Sequence, residues 1–156
     1  MRQLIKNVLL NRERKKLLKD CKPYLLDDEQ MIERFGKNFP GKQTDAAIYN
    51  VPCFKNPIDK IRIAISNLVE KDVVLDRAWI NWTNGDPKEV SWHNHHSNIS
   101  AVYYMTRHNC GTQFHDSFVE AEVNSLLVFS SELIHTAPDS NSRYDRYTMA
   151  LDFNYE

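Results

Sequence analysis

The hydrophobic pattern changes character near Lys71. Before it, apolar residues recur at helical spacing. Beyond it, short runs rich in β-branched and aromatic residues alternate with turn signals. Residues 3–9 form a short apolar stretch that predicts a first strand. Asn11 suits the N-cap of a helix over about 12–22, with Leu17, Leu18 and Cys21 on one face and Pro23 ending it. A second short helix is predicted over 28–35, and a turn at Phe39-Pro40-Gly41-Lys42. Asn56-Pro57 predicts the start of a longer helix, with Asn as cap and Pro at the first helical position. Ile58, Ile61, Ile65 and Leu68 follow at helical spacing. Strands are predicted over 73–83, 90–95, 99–105, 112–115, 119–123, 126–129 and 147–153, with a turn at Asn84-Gly85-Asp86-Pro87. Helices first and strands later argue for an α+β fold, and short strands between turns for a sandwich or jelly roll.

At 156 residues this is expected to be one domain, 1–156, large enough for a real core. A formal net charge of −1 gives no global field toward nucleic acid or anionic membrane, so neither is expected as a partner. The basic run Arg12-Glu13-Arg14-Lys15-Lys16 reads as a solvated helix face. No apolar run reaches the roughly 20 residues that span a bilayer, and Met1-Arg2-Gln3-Leu4-Ile5-Lys6 makes a poor signal peptide. Cys21, Cys53 and Cys110 are odd in number and far apart, which fits free thiols in a reducing cytoplasm. None forms a Cys-x-x-Cys pair for metal.

The candidate chemistry lies in Trp92-His93-Asn94-His95-His96, then His135, then Arg146. In an extended segment, residues two apart face the same way. His93 and His95 then project together, as two ligands on one ion must, and His96 points away. His135 follows the apolar run Leu126-Leu127-Val128-Phe129 and closes the site from a neighbouring strand. Imidazole suits iron, zinc, copper and nickel. The competing reading is a chance surface cluster. Alternation along the last strand places Arg146, Thr148 and Ala150 on one face. An inward Arg with a hydroxyl two residues on makes a carboxylate clamp. Arg143 is the fallback, His108 reads as a turn residue, and His115-Asp116 is ambiguous. Trp79, Trp82 and Trp92 wall a pocket or fill the core.

In order and spacing, these pieces resemble the iron(II)- and 2-oxoglutarate-dependent dioxygenases, most closely the small prolyl-hydroxylase-like members. Trp79-Ile80-Asn81 resembles the Trp-x-Asn strand of one bacterial and phage branch, and His93-Asn94-His95 its His-x-His pair. Ser100-Ala101-Val102-Tyr103-Tyr104-Met105 is similar to a Ser-Gly-Val-Tyr-Tyr-Leu strand, and Gly111-Thr112-Gln113-Phe114 to the Gly-rich strand after it. Asn124-Ser125-Leu126-Leu127-Val128-Phe129-Ser130-Ser131 resembles Gly-x-Leu-Leu-x-Phe-Pro-Ser. His135-Thr136-Ala137-Pro138 resembles His-x-Val-x-Pro, and Arg146-Tyr147-Thr148 the Arg-x-Ser.

The resemblance implies a double-stranded β-helix, a cupin-like jelly-roll barrel with the N-terminal helices packed outside. It implies Fe(II) held by His93, His95 and His135, and 2-oxoglutarate as cosubstrate held at its distal carboxylate by Arg146, with Tyr104 and Thr148 as further donors. The implied reaction uses dioxygen to decarboxylate 2-oxoglutarate to succinate and CO2 while hydroxylating a C–H bond of a small molecule or a protein side chain. The implied location is the cytoplasm, or a host's cytoplasm for a phage-encoded chain. The chain departs from the family at His95, where most members carry a carboxylate. Either three histidines serve, or an acid such as Asp116 completes the centre, or activity is lost. Two other classes remain: a cupin-like three-histidine metalloenzyme that uses no 2-oxoglutarate, and a non-catalytic jelly-roll binding or virion-associated module.

Overall fold

The computed structural model describes residues 1–85, 90–107, 111–137 and 144–156. Their elements run β1 (Arg2–Lys6), α1 (Asn11–Cys21), α2 (Asp28–Phe35), β2 (Lys42–Gln43), α3 (Pro52–Val69), β3 (Val73–Thr83), β4 (Ile99–Tyr104), β5 (Gly111–Phe114), β6 (Phe118–Glu120), β7 (Ser125–Ser130), β8 (His135–Thr136) and β9 (Arg146–Tyr155). The fold is α+β, with three α-helices and a sheet-rich core. The turn residues Asp86 and Pro87, together with His108, Cys110, Pro138 and Arg143, lie outside the described residues.

Two antiparallel sheets carry the site. One has six strands in the order β1-β7-β4-β9-β3-β2, and the other has three in the order β6-β5-β8. Among the described residues the two do not join into a closed barrel. Strand alternation gives the larger sheet two different faces. On the outer face, Ile80 of β3, Tyr103 of β4 and Met149 of β9 pack with Leu17 of α1 and Ile61 and Ile65 of α3. On the inner face, Tyr104 and Phe129 meet Phe114 of the smaller sheet in a second apolar cluster. Phe114 and Phe129 lie edge to face, 5.2 Å between centroids.

The helices begin where local chemistry directs, which is not always where the sequence suggests. α2 has a capping box. Asp27 Oδ1 accepts from the Gln30 amide at 2.8 Å, and the Asp27 amide donates to Gln30 Oε1 at 3.0 Å. The cap of α1 is Leu10, not Asn11. The Leu10 amide donates to Glu13 Oε1, while Asn11 Oδ1 accepts from Arg14 instead. α3 starts about one turn before Asn56-Pro57, because Pro52 takes the first helical position. Pro57 therefore sits inside the helix, and the carbonyl it leaves without a helical donor belongs to exposed Cys53.

The predicted strand 90–95 is not one. His93 makes a single antiparallel bridge to His135, and β8 is only two residues long, so there is little ladder to join. Mutual hydrogen bonds of 3.0 and 2.9 Å between His93 and His135, and 2.9 Å from the His95 amide to the Ser131 carbonyl, still fix this segment against β8 and the end of β7. β3 carries a bulge between Leu75 and Arg77. The extra residue changes the phase of alternation, so Leu75 faces the helical layer and Arg77 faces the opposite side.

Candidate metal centre

Between the sheets lies a cavity of about 630 Å3, bounded by β3, β4, β8 and β9 and by the 34–46 segment that leads from α2 through β2. His93, His95 and His135 converge in it, with one ligand atom from each lying within 4.8 Å of the others. Their ring centroids are 5.2 Å apart for His93 and His95, 4.4 Å for His93 and His135, and 5.3 Å for His95 and His135. His93 and His95 thus share a side of their segment, although that segment is not a regular strand.

Hydrogen bonding fixes which nitrogen of each ring is available. His93 Nδ1 lies 2.7 Å from the Ser91 carbonyl, and His135 Nδ1 lies 2.9 Å from the Leu133 carbonyl. A carbonyl only accepts, so each Nδ1 bears the proton and each Nε2 offers a lone pair. His95 Nδ1 lies 2.8 and 2.7 Å from the two oxygens of Asp152, which likewise accept. Nε2 is therefore the nitrogen that each of the three rings has free to offer a metal. Burial pushes the His135 imidazole down to about 4, although its bond to Leu133 acts the other way. Burial also lowers His93, aided by His95 and opposed by the bond to Ser91. Both rings stay neutral at ordinary pH, the form a metal needs. The donor set of three imidazoles fits a divalent transition metal.

Arg146, Thr148, Ala150 and Asp152 occupy alternate positions of β9 and all line the cavity. Arg146 is only 5% exposed and donates from Nη2 to the Gly111 carbonyl at 3.3 Å. Thr83 stands opposite it in the β3–β9 register, and Thr83 Oγ1 is buried with no hydrogen-bond partner among the described residues. A buried guanidinium beside an orphaned hydroxyl and Thr148 suits a carboxylate, which accepts from all three. Tyr104 is placed differently. Its hydroxyl shares a hydrogen bond of 2.6 Å with Thr112 Oγ1, and Thr112, not Tyr104, lines the cavity.

The other candidates separate cleanly. Asp116 is excluded from the cluster, because it grips Arg2 through both oxygens at 2.7 and 2.6 Å. That contact holds its carboxyl down at about 2. His115 stacks on Trp92 at 4.5 Å, and Trp92 is 46% exposed. Trp79 lines the cavity and Trp82 packs on the helical core. His96 is exposed. Sequence reasoning missed Asp152, Ser100 and Thr83. Asp152 was within reach, as the next member of the alternation that picks out Arg146, Thr148 and Ala150.

Asp152 is fully buried and held by four contacts. Besides His95, it accepts from Ser100 Oγ at 2.7 Å and from Arg77 Nε at 2.8 Å. Burial raises its carboxyl, but the bond and charge of His95, then Ser100 and Arg77, outweigh that and leave it below the ordinary carboxylate range.

No protein-family model matches the sequence, and no curated protein matches it either. Solved structures do match. AviO1 from Streptomyces viridochromogenes Tue57 shares 13% identity over 98% of this chain and 89% of its own, with a TM-score of 0.74. HygX from Streptomyces hygroscopicus, solved with nickel, 2-oxoglutarate and hygromycin B bound, shares 10% over 98% and 82%, with a TM-score of 0.73. A Pseudomonas putida prolyl-4-hydroxylase shares 15% over 98% and 92%, with a TM-score of 0.66. This chain has the fold of these neighbours.

Proposed function

We propose that the protein is an iron(II)- and 2-oxoglutarate-dependent dioxygenase that hydroxylates a C–H bond, and that its two sheets form the double-stranded β-helix of that class. One observation carries the reading: three imidazoles cluster with their ligand atoms within 4.8 Å of one another, in a cavity that a buried arginine also lines. The likeness to HygX, which binds nickel and 2-oxoglutarate, supports it. When bound, the iron and cosubstrate would supply the oxidising chemistry with dioxygen as the oxidant, one oxygen atom going to the substrate and the other to succinate, with release of CO2.

The chain's own residues do the rest. His93, His95 and His135 hold the metal. Arg146 pairs with the distal carboxylate, and Thr83 and Thr148 donate to it. Tyr104 acts at one remove, holding Thr112 in place. Phe35, Phe39 and Trp79, with Arg34 and Gln43, line the side of the cavity nearest α2 and β2. That side takes the substrate, a small molecule or a protein side chain. No helix among the described residues is long and apolar enough to cross a membrane, and a cytoplasmic location fits the free thiols of Cys21 and Cys53.

The test is iron-dependent formation of succinate from 2-oxoglutarate. It should vanish in Arg146→Ala while metal stays bound. Among the described residues no carboxylate joins the three-histidine cluster, which favours one second reading, a three-histidine metalloenzyme that uses no cosubstrate. In that case Arg146→Ala would leave turnover intact.

A further inference from the structure

Three neutral imidazoles leave a divalent metal with its full charge, whereas two imidazoles and a carboxylate leave one positive charge less. A carboxylate is present, one layer behind the cluster. We infer that Asp152 is a positioning residue that supplies the missing negative charge through His95, and that Arg77 sets how much of that charge reaches the metal. This rests on the reading that the three histidines bind a divalent metal.

The geometry singles out His95. His93 and His135 rest their Nδ1 protons on neutral backbone carbonyls, and His95 alone rests its proton on an anion. A carboxylate behind an imidazole fixes the ring and strengthens its Nε2 as a donor. The carboxylate is itself held at both oxygens. Ser100 Oγ holds Oδ1, Ser131 Oγ lies 2.8 Å from Ser100 Oγ, and Arg77 Nε holds Oδ2. Trp79 stacks on His95 at 5.6 Å and 21°, so the ring is confined on its face as well.

Arg77 does not cancel the charge. Its side chain is 43% exposed, against 1% for Asp152. Solvent screens the guanidinium, while the carboxylate acts from a low-dielectric interior. A structural ion pair would need only Arg77 and Asp152. Here both oxygens of the acid also reach His95, and the β3 bulge is what turns Arg77 toward it.

The test uses the full chain and cobalt(II) alone, with affinity measured by competition against a chelating dye. The iron(III)/iron(II) potential is read separately. Asp152→Asn keeps shape and removes charge. It should bind cobalt about 10–100-fold more weakly and raise the potential. Arg77→Gln removes the partial compensation. It should bind cobalt at least as tightly as the wild type and lower the potential. A folded Asp152→Asn with wild-type cobalt affinity would overturn the inference, as would an Arg77→Gln that weakens binding the way a lost structural support does. If Asp152→Asn does not fold, the Arg77→Gln potential decides: a fall supports the inference, and a rise or no change overturns it. No step involves 2-oxoglutarate. A failed cosubstrate titration would remove the proposed reaction and leave this result standing, whereas a wild-type protein that bound no cobalt would remove the metal reading itself.

Discussion

His93 and His135 give their Nδ1 protons to carbonyls of their own segments, while His95 gives its proton to a carboxylate 57 positions away. That difference predicts the outcome of restoring the usual ligand. In His95→Asp the new acid would meet Asp152 at close range, and like charges disfavour each other. Metal binding should be lost in the single variant and partly recovered in His95→Asp/Asp152→Asn, as measured by cobalt competition. Simple tolerance of the single variant would contradict the arrangement. Burial of His135 has its own consequence. The folded, metal-free protein keeps this ring neutral down to about 4, whereas the unfolded chain takes up a proton near 6.5. The unfolded state therefore binds more protons between those values. Stability is fully present above about pH 6.5 and falls as pH drops toward 4. His135 contributes up to about 3 kcal/mol to that loss. Urea denaturation of the metal-free protein should show its midpoint falling from pH 7 to pH 5, with a smaller fall in His135→Gln. A flat profile would contradict the buried neutral ring.

The strands, more than the helices, decide where these side chains meet. β9 delivers Arg146, Thr148 and Asp152 to one face by alternation alone, and a reader of the sequence can see the first two. β3 is less legible. Its bulge leaves no mark in the composition, yet it sets Arg77 opposite Asp152. Residues 90–95 mislead for a related reason. Their partner is two residues long, so what looks like a strand is a single bridge, although the side-chain directions it implies still hold. The helix starts slipped where caps compete: Pro52 pre-empts Pro57, and Glu13 caps through Leu10 before Asn11 can. The turn at Gly41 read correctly. Its φ is 65°, and an added Cβ would lie 1.9 Å from the Trp82 carbonyl. Gly41→Ala should therefore cost more than about 1 kcal/mol and disturb β2 beside the cavity. Denaturant unfolding checks this, and an unchanged midpoint would contradict the close approach.

At the scale of the molecule, helices cover one face of the larger sheet and the smaller sheet covers the other, which leaves a cavity between the sheets that residues of β3 and α2 help to line. The α+β class was readable from the order of helical and strand-like periods. The pairing of β1 with β7, and the split into sheets of six and three strands, were not, because they depend on contacts between residues far apart in the chain. The residues His93, His95, His135 and Arg146 were legible because their chemistry is distinctive. Asp152 and Thr83 were not singled out, because an acid and a threonine in strands are common until a fold brings them together. The central claim is that this cavity holds a metal and a dicarboxylate at once. Anaerobic titration of the iron-loaded protein with 2-oxoglutarate tests it most directly. The account predicts a visible charge-transfer band that saturates at one equivalent and is absent or greatly weakened in Arg146→Ala. Fully iron-loaded protein that gives no band and binds no 2-oxoglutarate would contradict it.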